Sequence, residues 1–192
     1  MSTERQPLIV GIGGTTRADS SSERVLRLAL ADAAQAGAKV EMFSGESIDL
    51  PMYAPESDER SNAAQRLIAA LRQADGVIIA SPGYHGSISG LLKNALDYVE
   101  DLREDSFPYL EGRAVGIIVC ASGWQATGTT VVALRSIVHA LRGWPTPMAV
   151  AINSSGSTFA PDGSLADAVC GDQVRLLSSQ VVEFANMRAL RE

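Results

Sequence analysis

A chain of 192 residues that is 46% hydrophobic and 20% charged has the size and make-up of one globular domain, residues 1–192, with a core that needs neither disulfides nor metal. A formal charge of −6 and only two lysines argue against nucleic acid as a partner, and no apolar run approaches the length of a membrane span. Cys120 and Cys170 are too few for a disulfide framework or a metal cluster, and Met1 to Pro7 lacks the charged-then-apolar layout of a signal peptide, so a reducing cytoplasm is the expected setting.

In chain order, β-rich runs fall at Leu8 to Ile12, Lys39 to Phe43, Gly76 to Ala80, Ala114 to Cys120 and Met148 to Ile152. Helical periodicity fills the intervals: Ser20 to Ala36, ended by Gly37; Ser57 to Ala74; Ser87 to about Glu104; Thr127 to Arg142, ended by Gly143-Trp144-Pro145; and Ala166 to about Leu190. The third of these is the clearest, because Ile88, Leu91, Leu92, Ala95, Leu96, Val99 and Leu102 share one broad stripe. Alternation of strand and helix implies right-handed βαβ crossovers and a largely parallel sheet with helices on both faces. The nearly continuous Val, Ile, Leu and Gly of the strands agree with burial on two sides. Five strands and five helices fit a doubly wound α/β sheet of order 2-1-3-4-5, in which the loops after strands one, three and four share one edge. The Ser44 to Pro55 connection is a longer loop placed to wall the same crevice.

Gly11 to Glu23 reads as strand end, glycine turn, hydroxyl-rich loop and helix start. Free N–H groups at a helix N-terminus, with serine and threonine hydroxyls and the Arg17 guanidinium, favour an anion such as phosphate; the same serines also serve as N-caps, and the two readings weigh evenly. A dinucleotide fingerprint begins at Gly11-Ile12-Gly13 but meets Thr16 at its third position, and the second strand ends in Phe43-Ser44 rather than in an acid. No Gly-Lys-Ser or Gly-Lys-Thr is present for a P-loop. Further along, Ser81-Pro82-Gly83-Tyr84-His85-Gly86-Ser87-Ile88-Ser89-Gly90 sets three glycines and a proline between a strand and a helix, which suits a backbone that closely approaches a flat ligand.

With both loops in view, the chain resembles the NAD(P)H-dependent FMN reductase family of flavodoxin-like proteins. Gly14-Thr15-Thr16-Arg17-Ala18-Asp19-Ser20-Ser21-Ser22 follows the family pattern Gly-Ser-x-Arg-x-x-Ser-x-Asn/Ser. Pro82 to Asp97 follows Pro-x-Tyr-Asn-Gly-Ser-x-x-Gly-x-Leu-Lys-Asn-x-Leu-Asp, with His85 in the Asn position. The likeness also takes in Leu110 to Val115 and the loop Ala121 to Gly128. It implies a flavodoxin-like fold in which Thr15, Arg17, Ser20 and Ser22 hold the FMN phosphate. By the same resemblance Pro82, Gly83, Tyr84, His85, Gly86 and Ser87 line the isoalloxazine ring, and Ser122, Gly123 and Trp124 close its far side. NADPH or NADH is then the hydride donor, and a homodimer or homotetramer forms through the third helix and its apolar stripe.

Hydride transfer between stacked cofactor rings asks the protein for positioning and for donors near the flavin edge, so no catalytic side chain and no metal ligand set is expected. Tyr84 reads as flanking the ring rather than as the rim of the core, and His85 as meeting it through its backbone, with the side chain undecided. His139 reads as structural, Cys120 as buried and inert, and Trp124 as balanced between covering the ring and packing its loop. Asp97, Glu100, Asp101, Glu104 and Asp105 read as the solvated face of the third helix. Reduced flavin then goes to a partner monooxygenase or to a second acceptor such as a quinone, an azo compound or a metal oxyanion. A flavodoxin-type electron carrier inert to nicotinamide is the rival, disfavoured by the arginine in the first loop.

Overall fold

The computed structural model describes residues 5–189. Strands β1 (Leu8–Gly13), β2 (Lys39–Phe43), β3 (Gly76–Pro82), β4 (Ala114–Ala121) and β5 (Trp144–Asn153) pair in parallel in the order β2-β1-β3-β4-β5. This is the flavodoxin-like order expected from the resemblance. Helices α1 (Ser21–Gln35), α2 (Asn62–Gln73), α3 (Gly90–Asp97), α4 (Trp124–Ala140) and α5 (Ala168–Ala189) make the crossovers, joined by 3-10 turns at Gly45–Ile48 and Tyr98–Leu102.

Because side chains alternate across a strand, the three central strands feed two cores. Val10, Ile12, Val77, Ile79, Val115 and Ile117 face one core, under α2, α3 and α4, while Ile9, Ile78, Ala80 and Ile118 face the other, under α1 and α5. Cys120 lies on the α1/α5 side. Both cysteines are free thiols, and among the described residues no helix is long and apolar enough to cross a membrane and no group of His, Cys, Asp and Glu can hold a metal ion.

Several boundaries differ from the sequence pattern, each for a local reason. The second helix begins at Asn62 and not at Ser57, because the Arg60 guanidinium bonds Ser57 O and Glu59 O and holds those residues as a loop, leaving Ser61 as the N-cap. The third does not run unbroken to Glu104: Ser89 caps it at Gly90, and beyond Asp97 it tightens into the 3-10 turn. Most of its stripe packs inside the chain, with Leu92, Ala95, Leu96, Val99 and Leu102 buried. The fourth helix starts earlier, at Trp124, and Trp144 to Pro147 belong to β5, which tolerates Pro145 and Pro147 as an edge strand. Leu190, the expected end of the last helix, lies outside the described residues, as do the first four residues of the N-terminal segment.

One buried charge ties the layers together. Arg113, at the threshold of β4, is 8% exposed, and its Nε donates to Ala74 O (2.7 Å), its Nη1 to Tyr109 O (2.9 Å) and its Nη2 to Arg72 O (3.1 Å). The Arg72 and Ala74 carbonyls are at the C-terminal end of α2, where helical acceptors lack partners and the dipole favours a cation. Arg113→Met strands these buried carbonyls and is expected to cost about 2–4 kcal/mol of stability, seen as a lower urea midpoint at unchanged slope. A loss below about 0.5 kcal/mol would show the cap to be dispensable.

Candidate active site

The first loop is made by a turn that only glycine permits. As β1 leaves the sheet, Gly14 N–H donates to Ala80 O (3.1 Å), and a Cβ built on Gly13 would lie 2.0 Å from the same carbonyl. Thr15 Oγ1 then accepts from Arg17 N (3.1 Å) and donates to Arg17 O (3.2 Å), rounding the loop. Ser20 is the N-cap of α1: its buried Oγ accepts from Glu23 N (3.4 Å) and lies 3.5 Å from Ser22 Oγ, also buried. Thr15, Arg17, Ser20 and Ser22 therefore sit in one loop, but they are not equivalent. Arg17 is exposed and its guanidinium has no partner among the described residues, whereas Ser20 is committed to the helix. The first-turn N–H groups of Ser21 and Ser22 have no intrahelical acceptor, as at any helix start.

The second loop leaves β3 one strand away. Gly83 N–H donates to Cys120 O (2.8 Å), and Tyr84 and Ser87 exchange backbone bonds (2.9 and 3.0 Å) around His85 and Gly86. Both central residues have positive φ, 50° and 82°, the signature of a type I′ hairpin. Histidine belongs to the small set of residues that tolerate this conformation, as does the asparagine of the family pattern. The turn leaves the His85 and Gly86 N–H groups without a backbone acceptor among the described residues. Buried Ser81 donates to Pro82 O (2.8 Å), and Thr130 Oγ1 donates to Ser87 O (3.3 Å), so the hairpin is pinned from both flanks.

The third loop turns at Gly123 (φ 139°) into α4. Between it and the hairpin lies a cleft of about 470 Å³ lined by His85, Gly86, Ser122, Gly123 and Trp124, with Gln125, Ala126 and Thr129. Pro82, buried at the end of β3, and Gly83, Tyr84 and Ser87 frame the hairpin without lining this cleft. A Cβ on Gly83 would come within 2.8 Å of Ala121 Cβ, so a glycine there lets the two loops approach. Tyr84 and Trp124 are 52% and 66% exposed, which excludes a core-packing role for either. No Lys, Arg, Asp or Glu lines the cleft, and the first turn of α4 opens at it, so its polarity comes from N–H groups together with the side chains of His85, Ser122, Gln125 and Thr129. Gln125 and Ala126 belonged to the third loop of the resemblance without being among its expected ring contacts, and Thr129, inside the expected helix, was missed because its place at the cleft follows from the approach of α4 to the hairpin. These features fit a flat, neutral ring with a charged tail: a glycine-bounded slot with unused amide donors, and an arginine loop on the adjoining strand.

Side chains elsewhere play structural parts. Burial pushes the Cys120 thiol up to about 12, far from thiolate reactivity at neutral pH, and His139 is exposed on α4 away from the cleft. The acidic run does not form a plainly solvated face, because all five of its members are paired: Asp97 with Lys93, Asp105 with Arg72, Asp101 with Arg60, and Glu100 and Glu104 with Arg103. The Arg60 pair is two-pronged, with Nε to Oδ2 at 2.6 Å and Nη2 to Oδ1 at 2.9 Å, and Tyr53 OH also reaches Asp101 (3.3 Å). Nearby, Asn94 Oδ1 accepts from Tyr53 N while its Nδ2 donates to Leu50 O and Pro51 O, and Tyr98 OH donates to Pro51 O. The long connection after β2 is thus clamped onto α3 and its 3-10 extension.

A parallel sheet with a ring-sized slot and an anion loop at its carboxyl edge defines a mononucleotide-binding protein of the flavodoxin-like class. Residues 7–157 match the model of the NADPH-dependent FMN reductase family, and the chain belongs to that family. It is an NAD(P)H-dependent flavin oxidoreductase with FMN as cofactor. An FMN-dependent NADPH-azoreductase of Staphylococcus aureus (strain USA300) is 33% identical over 141 residues, 72% of this chain and 71% of that protein. Among solved structures, FerB, a flavoenzyme NAD(P)H:(acceptor) oxidoreductase from Paracoccus denitrificans, superposes with a TM-score of 0.77 at 20% identity, covering 95% of this chain and 98% of its own. The apo form of the NADH:FMN oxidoreductase EMOB gives 0.64 at 21% identity, covering 97% and 90%. At such identities these two speak for the fold alone.

Hydrogen bonds from Arg60 hold the Asp101 carboxyl below its ordinary pKa, against the opposing effect of burial. A depressed folded value stabilises the protein fully above the ordinary aspartate pKa of about 3.9, and that contribution disappears as pH falls through the lower folded value. Asp101→Asn is expected to cost about 1–2 kcal/mol at neutral pH and to make Pro51 to Arg60 more sensitive to protease. The difference in melting temperature from the parent shrinks across the acid range; a difference independent of pH would contradict the pairing.

Proposed function

We propose that the protein takes hydride from NADPH or NADH onto FMN lying across the β1, β3 and β4 loops, and passes the electrons to an acceptor that enters the same open cleft. The observation carrying this reading is the uncharged slot between His85-Gly86 and Ser122-Trp124 at the sheet edge that also bears Arg17. Bound FMN supplies the ring that accepts and donates hydride. The chain's part is to hold that ring flat against the glycine-bounded hairpin, to present the His85 and Gly86 N–H groups where negative charge grows on reduction, and to seat the phosphate against Arg17 and the first turn of α1. No side-chain acid or base is required. A neutral lining suits planar aromatic acceptors, quinones and azo compounds, better than metal oxyanions, which gain no cation there.

Release of the reduced flavin to a partner monooxygenase is the second reading, favoured by the exposure of Arg17 and its loop, which leaves the phosphate end open to solvent. The cytoplasm is the proposed compartment for either, in keeping with two unpaired thiols. Under anaerobic conditions, protein mixed with FMN and NADPH or NADH should oxidise the nicotinamide well above the buffer rate, and protein that is yellow yet inert to both would return the electron-carrier reading. Arg17→Ala should weaken FMN binding by about 1.5–3 kcal/mol while leaving riboflavin, which lacks the phosphate, unaffected. Equal losses for the two flavins in a fluorescence-quenching titration would reject the phosphate role.

A further inference from the structure

Building on the FMN reading, we infer that Glu23 is a built-in counter-anion of the phosphate loop, whose carboxylate holds down the affinity for the flavin phosphate and keeps FMN exchangeable. Glu23 is in the first turn of α1 and is only 9% exposed. Its Oε2 accepts from Asp19 N (3.1 Å), and its Oε1 pairs with Arg27 Nη2 (2.8 Å), whose Nη1 reaches back to Asp19 Oδ1 (3.3 Å). A Cβ added to Gly14 would lie 3.2 Å from Glu23 Cβ, so the glutamate packs directly against the glycine turn. A full negative charge therefore occupies the positive end of α1, where a phosphate is favoured, and consumes one of the loop's N–H donors.

Apart from Arg17, the rest of the loop adds little compensation. Thr15 Oγ1 is already bonded to the backbone of Arg17, and the Arg24 guanidinium is drawn over the Phe159 ring, 3.6 Å from its centroid. Between residues 17 and 27, three arginines face two carboxylates, an excess of one positive charge. A phosphate monoester brings about −1.5 to −2 at neutral pH, so the occupied loop carries net negative charge. The hydrogen bond from Asp19 needs an acceptor oxygen and not a charge, and the amide oxygen of glutamine would serve it as well. What glutamate adds over glutamine at this position is charge, which pairs with Arg27 and repels a second anion, and a loosely held phosphate lets flavin leave after reduction.

The test compares dissociation constants for FMN and riboflavin, read by flavin fluorescence quenching, for the parent, Glu23→Gln, Arg27→Gln and the double variant. Glu23→Gln should bind FMN roughly tenfold more tightly with riboflavin unchanged, and the gain should shrink as salt is raised. Arg27→Gln bares the Glu23 carboxylate and should weaken FMN several-fold, again without effect on riboflavin, and that loss should vanish in the double variant. Unchanged or weaker FMN binding by Glu23→Gln, at a melting temperature close to the parent's, overturns the inference. Should Glu23→Gln not fold, Arg27→Gln decides alone, and FMN affinity equal to the parent's overturns it. A parent protein that binds FMN but responds to neither substitution keeps the FMN reading and loses this inference. One that binds neither flavin removes both.

Discussion

Parallel pairing of β1, β3 and β4 is the constraint from which the site follows. The first two loops begin by donating to the end of the neighbouring strand, Gly14 N–H to Ala80 O and Gly83 N–H to Cys120 O, and beyond β5 Ser154 N–H does the same to Ala121 O. The loops thus leave the sheet as steps of a staircase along one edge, from strands whose residues are almost all buried. A ligand lying across those steps meets groups held by the cores beneath, since the strands that carry them are covered on both faces.

Most side chains near this edge serve the scaffold before they serve a ligand. Ser20 and Ser89 cap α1 and α3, Ser81 and Thr130 pin the hairpin, and Asn94 and Tyr98 anchor the β2–α2 connection. What remains for recognition is chiefly backbone, together with one exposed arginine. Such a division matches a reaction in which the cofactor carries the chemistry, since amide donors fixed by a hairpin and a helix start need no reorganisation when charge moves onto a bound ring. On the proposed placement of the phosphate, charge at the first loop is then the most adjustable quantity in the site, and it is there that the Glu23–Arg27 pair lies.

The strands and their parallel, doubly covered sheet were legible in the sequence because two-sided burial writes continuous Val and Ile runs, and because Gly14 and the Gly83 to Gly90 stretch punctuate the strand ends; the order came from the likeness to flavodoxin-like proteins, since periodicity does not say which strands are neighbours. Element boundaries were less so, since tertiary hydrogen bonds set them: Arg60 breaks the expected second helix at a distance of some forty residues from its partner Asp101, and no local pattern announces such a pair. Trp124 was readable as part of the third loop but not as the first residue of a helix, because Gly123 supplies the turn without a side-chain cap. The acidic run looked like solvent-facing charge, and only the fold reveals that Lys93, Arg72 and Arg60 meet it. Glu23 was read merely as the start of a helix; its carboxylate matters because the loop folds back onto it.

An amide NMR titration of the isotope-labelled protein with FMN tests the placement most directly. Shifts are expected at residues 14–22, at 83–87 and at 122–125 together, with riboflavin reproducing those of the two ring loops but not those of the first. Perturbations confined to one loop, or concentrated at the opposite edge of the sheet, would contradict a single mononucleotide spanning the three.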